Sequence, residues 1–220
     1  MCNVSGLEFF LETIKPNEFT AKKVLEVGSK YVNGSVRPLI ENFLSPAKYI
    51  GIDISLGKMV DTILPAEKVL EYFGPESFDV VISSEMIEHV INWRIVIGGM
   101  KATLKRGGYI YLTTRSRGFA YHGFPFDFWR YEIDDMKKIF ADFEIIKLQK
   151  DEVNPGVFLK AKKPEKYSPT DLSGIALYSM VLARRTESIV NIEDMSLLRK
   201  LGIRLRENAR QIAIRTKIIS

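Results

Sequence analysis

One cysteine and two histidines are all that 220 residues offer of the common thiol nucleophiles and imidazole ligands. The single Cys2 excludes an internal disulfide, a four-cysteine zinc site and an iron–sulfur cluster. No apolar run approaches the roughly 18–20 residues that a bilayer-spanning helix needs. The opening residues Met1-Cys2-Asn3-Val4 lack the basic and then apolar succession of a secretory leader, so the expected compartment is cytoplasmic. Residues 1–165 carry no charge excess, with 22 Lys/Arg against 22 Asp/Glu. The net charge of +5 therefore resides in residues 166–220, which hold 10 basic and 5 acidic side chains. A neutral body argues against long RNA or DNA as substrate, because polyanion binding rests on many phosphate contacts. With 46% hydrophobic residues the chain can fill one core and carry an appendage.

What is present begins with Lys23-Val24-Leu25-Glu26-Val27-Gly28-Ser29-Lys30-Tyr31-Val32-Asn33-Gly34-Ser35. An apolar strand runs into a loop opened by a glycine, whose missing Cβ lets backbone approach a ligand. A second run, Tyr49-Ile50-Gly51-Ile52-Asp53, ends in an acid about 25 positions after Gly28. Such a carboxylate is placed to bond the two hydroxyls of a ribose. The loop lacks the G-x-G-x-x-G spacing that cradles a pyrophosphate, and Glu26 would repel phosphates while suiting a cationic, amino-acid-bearing ligand. This disfavours a nicotinamide dinucleotide.

Apolar periodicity predicts an opening helix over Gly6–Ile14 and then an alternation. Strands are expected at Val24–Val27, Tyr49–Asp53, Val60–Leu64, Phe78–Ser83 and Tyr109–Thr114, with an antiparallel pair at Phe143–Leu148 and Val157–Ala161. Helices are expected at Val36–Leu44, Glu67–Phe73, Met86–Leu104 and Ile133–Phe140. The run Lys105-Arg106-Gly107-Gly108 reads as a helix stop. Ile175–Leu182 suits a strand or a buried helix, and a basic amphipathic helix is expected from Glu193 onward. Residues 1–165 form one domain in this reading. Residues 166–220 form an extension that packs on it or joins a second copy of the chain, giving a homo-oligomer.

The glycine loop, the acidic strand ends and the order of elements over roughly residues 20–163 resemble the class I S-adenosylmethionine-dependent methyltransferases, including small-molecule and glycan types. The resemblance implies an α/β Rossmann-like fold: a seven-stranded, mostly parallel sheet with a terminal antiparallel hairpin, in three layers. It implies S-adenosyl-L-methionine as cofactor, held by Glu26, Gly28, Ser29, Gly34, Asp53, Ile54 and Ser84, with Asp61 or Glu67 near the adenine. The family's second and third loop glycines fall at Lys30 and Val32, and Asn33-Gly34 is expected to restore the lost backbone freedom.

Two further stretches carry chemistry. Glu85, Glu88 and His89 follow the fourth strand at i, i+3, i+4, so a helix would place them on one face. His89 could act as a general base, or the triplet could hold a divalent cation. The same spacing occurs in ubiquinone-pathway O-methyltransferases and small-RNA 2′-O-methyltransferases, whose metal positions the accepting hydroxyl, and His122 lies in the corresponding later loop. The metal-free reading, with His89, His122 and Glu85 as catalytic residues and no metal assigned, is preferred. After the fifth strand, eight of the thirteen residues from Phe119 to Tyr131 are aromatic, counting His122. That loop suits an acceptor wall, with Arg115, Arg117 and Arg130 available to a carboxylate or phosphate. No Asn/Asp-Pro-Pro-aromatic segment follows the fourth strand, which argues against methylation of an exocyclic base amine. The expected reaction is O-methylation of a small hydroxyl-bearing metabolite or sugar, with RNA 2′-O-methylation or a non-catalytic cofactor binder as rivals.

Overall fold

The computed structural model describes residues 4–123 and 126–189. In chain order these form α1 (Val4–Thr13), α2 (Pro16–Phe19), β1 (Lys23–Val27), α3 (Arg37–Leu44), β2 (Lys48–Asp53), β3 (Thr62–Ile63) and α4 (Val69–Phe73). They continue with β4 (Phe78–Ser84), α5 (Trp93–Thr103), β5 (Leu104–Arg115), β6 (Trp129–Arg130), α6 (Ile133–Ile139), β7 (Glu144–Lys150), β8 (Gly156–Lys162), β9 (Leu177–Ser179) and β10 (Arg184–Thr186). Seven strands make one sheet in the order β3-β2-β1-β4-β5-β8-β7. The first five are mutually parallel, whereas β8 runs antiparallel to β5 and to β7. Continuous apolar runs such as Phe78-Asp79-Val80-Val81-Ile82 sit in the middle because both faces are covered. Leu25, Val27, Val81, Ile110 and Leu112 join Val69 of α4, Val96 and Met100 of α5 and Met136 of α6 in one core. Val24, Val80, Ile82 and Tyr111 join Phe9, Phe10, Phe19 and Ile40 in the other. The three layers follow from that division.

The helix expected over Met86–Leu104 forms only from Trp93 to Thr103. Glu85 takes a left-handed φ of +51°, Ile87–His89 make a single 3-10 turn, and the helix begins only at Trp93. Tertiary bonds win over helical propensity there: Phe128 N–H donates to the Glu88 carbonyl at 2.8 Å and Tyr131 Oη donates to the Ile87 carbonyl at 3.2 Å. At the far end Leu104 pairs with Phe78 in the sheet, and the register shifts before Val80 meets Tyr109. The helix does stop just ahead of Lys105–Gly108, at Thr103, but that run is already part of β5, as an irregularity with Gly107 at φ +72°.

A second sheet, β10-β9-β6, was not foreseen. It joins Leu177–Ser179, within the expected strand at Ile175–Leu182, to Trp129–Arg130 of the aromatic loop. Arg94 of α5 donates to the carbonyls of Leu172, Ile175 and Glu187, so the described part of the extension is fastened onto the main domain. The amphipathic helix expected from Glu193 lies outside the described residues. Among the described residues no helix is long and apolar enough to cross a membrane.

Candidate active site

The strand order reverses between β1 and β4, and at the carboxyl ends of these strands lies a cavity of about 500 Å³. Its wall includes Gly28, Asp53, Ile54, Glu67, Met86 and His89. Gly28 has φ +82°, and a Cβ there would stand 2.4 Å from Met86 Cγ. Only glycine meets both demands. The Gly28 and Ser29 N–H groups both donate to the Ile52 carbonyl at 2.9 Å, which ties the loop to β2.

Asp53 is locked in orientation by that loop. Its Oδ2 accepts from Lys30 N–H at 3.3 Å, and its Oδ1 accepts from Ser55 N–H at 3.1 Å and Ser55 Oγ at 3.2 Å. With about two acceptor positions per oxygen, Oδ2 retains capacity for a ligand hydroxyl. Lys30, where the family carries a glycine, lines the cavity with its side chain laid along the second loop: Nζ donates to Ser55 Oγ at 3.0 Å and the stem lies over Gly57. Neither Asn33 nor Gly34 has a positive φ, so the expectation that they restore backbone freedom fails. The loop needs only Gly28 in that conformation. Of the two acids considered for the adenine, Glu67 lines the cavity, whereas Asp61 accepts from Gly51 N–H at 2.7 Å and pairs with Arg37 at 2.6 Å.

The other anticipated cofactor residues fall into two groups. Gly28, Asp53 and Ile54 line the cavity; Glu26, Ser29, Gly34 and Ser84 are not among the lining residues. Glu26 is buried on the opposite side of β1, where Tyr49 Oη donates to its Oε2 at 2.9 Å. Burial pushes the Glu26 carboxyl up to about 7 against the downward pull of the Tyr49 hydroxyl.

Around His89, which lines the cavity, the 3-10 turn and the aromatic loop bring Glu88 and His122 together. The two imidazoles meet edge to face with centroids 4.8 Å apart. Glu88 Oε1 lies 3.6 Å from His122 Nε2 and 4.0 Å from His89 Nε2. These three atoms are buried and have no hydrogen-bond partner. The opposite ring nitrogens are engaged: His89 Nδ1 stands 2.7 Å from the Phe126 carbonyl and His122 Nδ1 2.9 Å from Asp127 Oδ2. A carbonyl and a carboxylate only accept, so both Nδ1 atoms carry hydrogen and both Nε2 atoms are turned toward the Glu88 carboxylate. Glu88 is fixed by Thr114 Oγ1, which donates to its other oxygen at 2.8 Å. Burial opposes charge on Glu88, but the adjacent imidazoles of His122 and His89 prevail and hold its carboxyl down at about 2. Burial likewise opposes charge on His122, yet Asp127 and Glu88 raise it to about 9.

The loop that delivers His122 is built around Arg130. Its guanidinium grips Asp127 through both oxygens, at 2.5 and 2.6 Å, and donates to the Ala120 carbonyl at 3.1 Å. Phe128, Trp129 and Tyr131 are buried and anchor the loop, while Phe128 also lines the cavity. The arginines expected to hold an acceptor anion have internal duties. Arg130 serves Asp127; Arg115 pairs with Glu85 through Nε, and its Nη1 lies 3.3 Å from Asp151. Arg117 stacks on Tyr178 at 4.7 Å. Glu85 lines the cavity but points to Arg115, so it does not share a face with Glu88 and His89 as a helix would have required. Burial, reinforced by Glu88, raises Glu85 to about 7 against the pull of Arg115. Asp127 was the residue that spacing did not reveal; its proximity to His122 in the sequence was the available signal.

A family model described as a methyltransferase domain matches residues 5–148. No curated protein matches the chain. Among solved structures, one from Listeria monocytogenes assigned to the S-adenosylmethionine-dependent methyltransferases superposes with a TM-score of 0.57 at 12% identity, covering 73% of this chain and 97% of that one. An S-adenosylmethionine-dependent methyltransferase from Mesorhizobium loti gives 0.53 at 15% identity, covering 73% and 99%. The 1,6-didemethyltoxoflavin-N1-methyltransferase of Burkholderia thailandensis, solved with S-adenosylhomocysteine, gives 0.53 at 11% identity, covering 66% and 72%. At such identities the superpositions speak for the fold, and the family match speaks for the chain. With its strand order, glycine turn and acid-tipped second strand, this chain belongs to the methyltransferase-domain family, in the class I, S-adenosylmethionine-dependent architecture.

Proposed function

We propose that the protein transfers a methyl group from S-adenosylmethionine to an oxygen of a small hydroxyl-bearing acceptor, a metabolite or a sugar. The observation that carries this reading is the cluster of Glu88, His89 and His122, whose Oε1 and two Nε2 atoms are buried without a hydrogen-bond partner and which reaches the cofactor cavity at His89. A neutral hydroxyl is a poor nucleophile until its proton is drawn away, and this cluster supplies acceptors for that proton.

The residues of the cavity fit the cofactor: Asp53 keeps an acceptor position for a ribose hydroxyl, Gly28 removes the Cβ that would fill the floor, and Ile54 gives an apolar wall. When bound, the cofactor supplies an electrophilic sulfonium methyl. The chain's part is orientation and exclusion of water, which can lower a barrier by roughly 7–11 kcal/mol. With the cofactor held there, these residues would place the acceptor oxygen in line with the methyl group, and the cluster, through His89 at the cavity wall, would take the hydroxyl proton as the methyl is transferred. The buried, internally bonded Arg115 and Arg130 favour an uncharged acceptor over a carboxylate or phosphate.

The test is incubation with methyl-labelled S-adenosylmethionine and matched acceptor panels that carry hydroxyl or amine groups on the same ring and sugar skeletons. Label on oxygen supports the reading. Label on nitrogen or carbon overturns it, as does tight cofactor binding without turnover on any panel.

A further inference from the structure

We infer that Glu88, His89 and His122 form a divalent-cation site, with Glu88 Oε1 and the two Nε2 atoms as ligands and the cofactor-cavity side left open for the acceptor. The assignment rests on how each side chain is held. All three candidate ligand atoms lie within 4.8 Å of one another, and each is buried with no hydrogen-bond partner. A buried polar atom without a partner is costly, and three of them within one small space would all be satisfied by a shared cation.

The back of each ligand is built as a metal site needs. A ligating histidine keeps its ring fixed by donating its other N–H to a carbonyl or carboxylate. His89 does so to the Phe126 carbonyl and His122 to Asp127, which is itself clamped by Arg130. Glu88 has one oxygen taken by Thr114 and the other bare. Glu88 is the carboxylate without an arginine: Arg130 faces Asp127, and Arg115 is shared by Glu85 and Asp151, which leaves Glu88 the anionic ligand. Around a first-row cation, with bonds of about 2.0–2.2 Å, neighbouring ligands stand roughly 3 Å apart. The separations of 3.6 and 4.0 Å would close to that by rotation of the carboxylate and rings.

The ligand set differs from the one that spacing in the sequence suggests. Glu85 is turned onto Arg115, so it is excluded, and His122, some thirty positions on, takes its place. Two imidazoles and one carboxylate suit Mn²⁺, Co²⁺ or Zn²⁺ and serve Mg²⁺ poorly, since that ion prefers an all-oxygen shell. The consequence for catalysis rests on the O-methylation reading: with the cluster occupied as ligands, the cation would replace it as the activating group, acidifying a hydroxyl bound at the open side, whose proton would then pass to solvent. The binding site itself does not depend on that reading.

The experiment is calorimetric titration of chelator-treated full-length protein with Mn²⁺, Co²⁺, Zn²⁺ and Mg²⁺, without cofactor or acceptor. One equivalent of Mn²⁺, Co²⁺ or Zn²⁺ is expected, with affinity falling at least about 100-fold in Glu88→Gln and His122→Ala, and about 10–100-fold in Asp127→Asn. Glu85→Gln should keep the cation. In the wild-type chain loaded with Co²⁺, two imidazole N–H proton resonances should appear outside the diamagnetic range. That readout stands even if a variant fails to fold. Absence of stoichiometric binding up to about 1 mM, the weak end of specific recognition, overturns the assignment. So does a cation that survives His122→Ala or is lost in Glu85→Gln. Oxygen methylation by a protein that binds no cation would sink the metal site and leave the function standing; cation binding with methylation on nitrogen would do the reverse.

Discussion

Asp53 and Gly28 carry the cofactor cavity in different ways, and their substitutions should fail differently. Asp53→Ala removes a charged acceptor from a locked position, worth about 1.5–3 kcal/mol, so calorimetry should show S-adenosylhomocysteine binding weakened by roughly 10- to 150-fold with little change in thermal stability. Gly28→Ala meets Met86 at 2.4 Å in a left-handed conformation, and both cofactor binding and melting temperature should fall, the latter by an amount matching at least about 1 kcal/mol. Glu26 gives a pH signature. Its carboxyl rises from 4.5 to about 7 on burial, so the folded chain holds that proton more tightly than the unfolded chain does. The stability so gained is complete below about pH 4.5 and is lost as pH rises through 7. Glu26→Gln keeps an acceptor for Tyr49 and removes the titration. Melting curves of the two proteins should be similar near pH 5, with the variant more stable by on the order of 1–3 kcal/mol at pH 8. A constant gap across that range would refute the role given to burial. Asp53 was legible because an acid ending a second strand has one common use. Glu26 was not: alternation along β1 sends Val27 to the cavity side and Glu26 to the opposite layer.

Among the elements, the parallel strands were readable because their apolar runs are bounded by turns, and β1, β2, β4 and the β7–β8 hairpin fall within a residue or two of the expected limits. The stretch from Glu85 to Asn92 was misread for a physical reason. Its i, i+3, i+4 polar pattern fits a helix, yet each polar group has a partner far away in sequence, and those contacts outweigh local periodicity. The short sheet β6-β9-β10 is invisible in sequence for a related reason: two- and three-residue strands have too few positions to show alternation. It nevertheless holds the aromatic loop, since Met180 N–H donates to the Phe128 carbonyl at 2.8 Å beside the β6–β9 pairs. Arg94→Ala should release this edge. Its three carbonyl acceptors would be left to solvent, and limited proteolysis within residues 170–189 should accelerate several-fold while the parallel sheet keeps its exchange protection.

For the molecule as a whole, cofactor binding and folding are linked, because the cavity is assembled from the ends of three strands and the loops that follow them. A ligand at about 100 times its dissociation constant adds roughly 2.7 kcal/mol to the folded state. For a chain of this size that corresponds to a rise in melting temperature of about 5–10 °C. S-adenosylhomocysteine should produce it in the wild-type protein, NAD should not, and Asp53→Ala should shrink it; an equal shift with NAD would contradict the cofactor assignment.

The pairing of Trp129–Arg130 with Leu177–Ser179 has an implication for redesign. Two segments almost fifty residues apart in the chain are hydrogen-bonded neighbours, so the loop bearing His122 cannot be exchanged alone. A chimera that imports another enzyme's loop while retaining this one's extension would leave a strand edge without its matched partner. Acceptor preference should therefore travel as a cassette of both segments, inherited or grafted together, while the glycine turn and the five parallel strands stay in place as a reusable chassis.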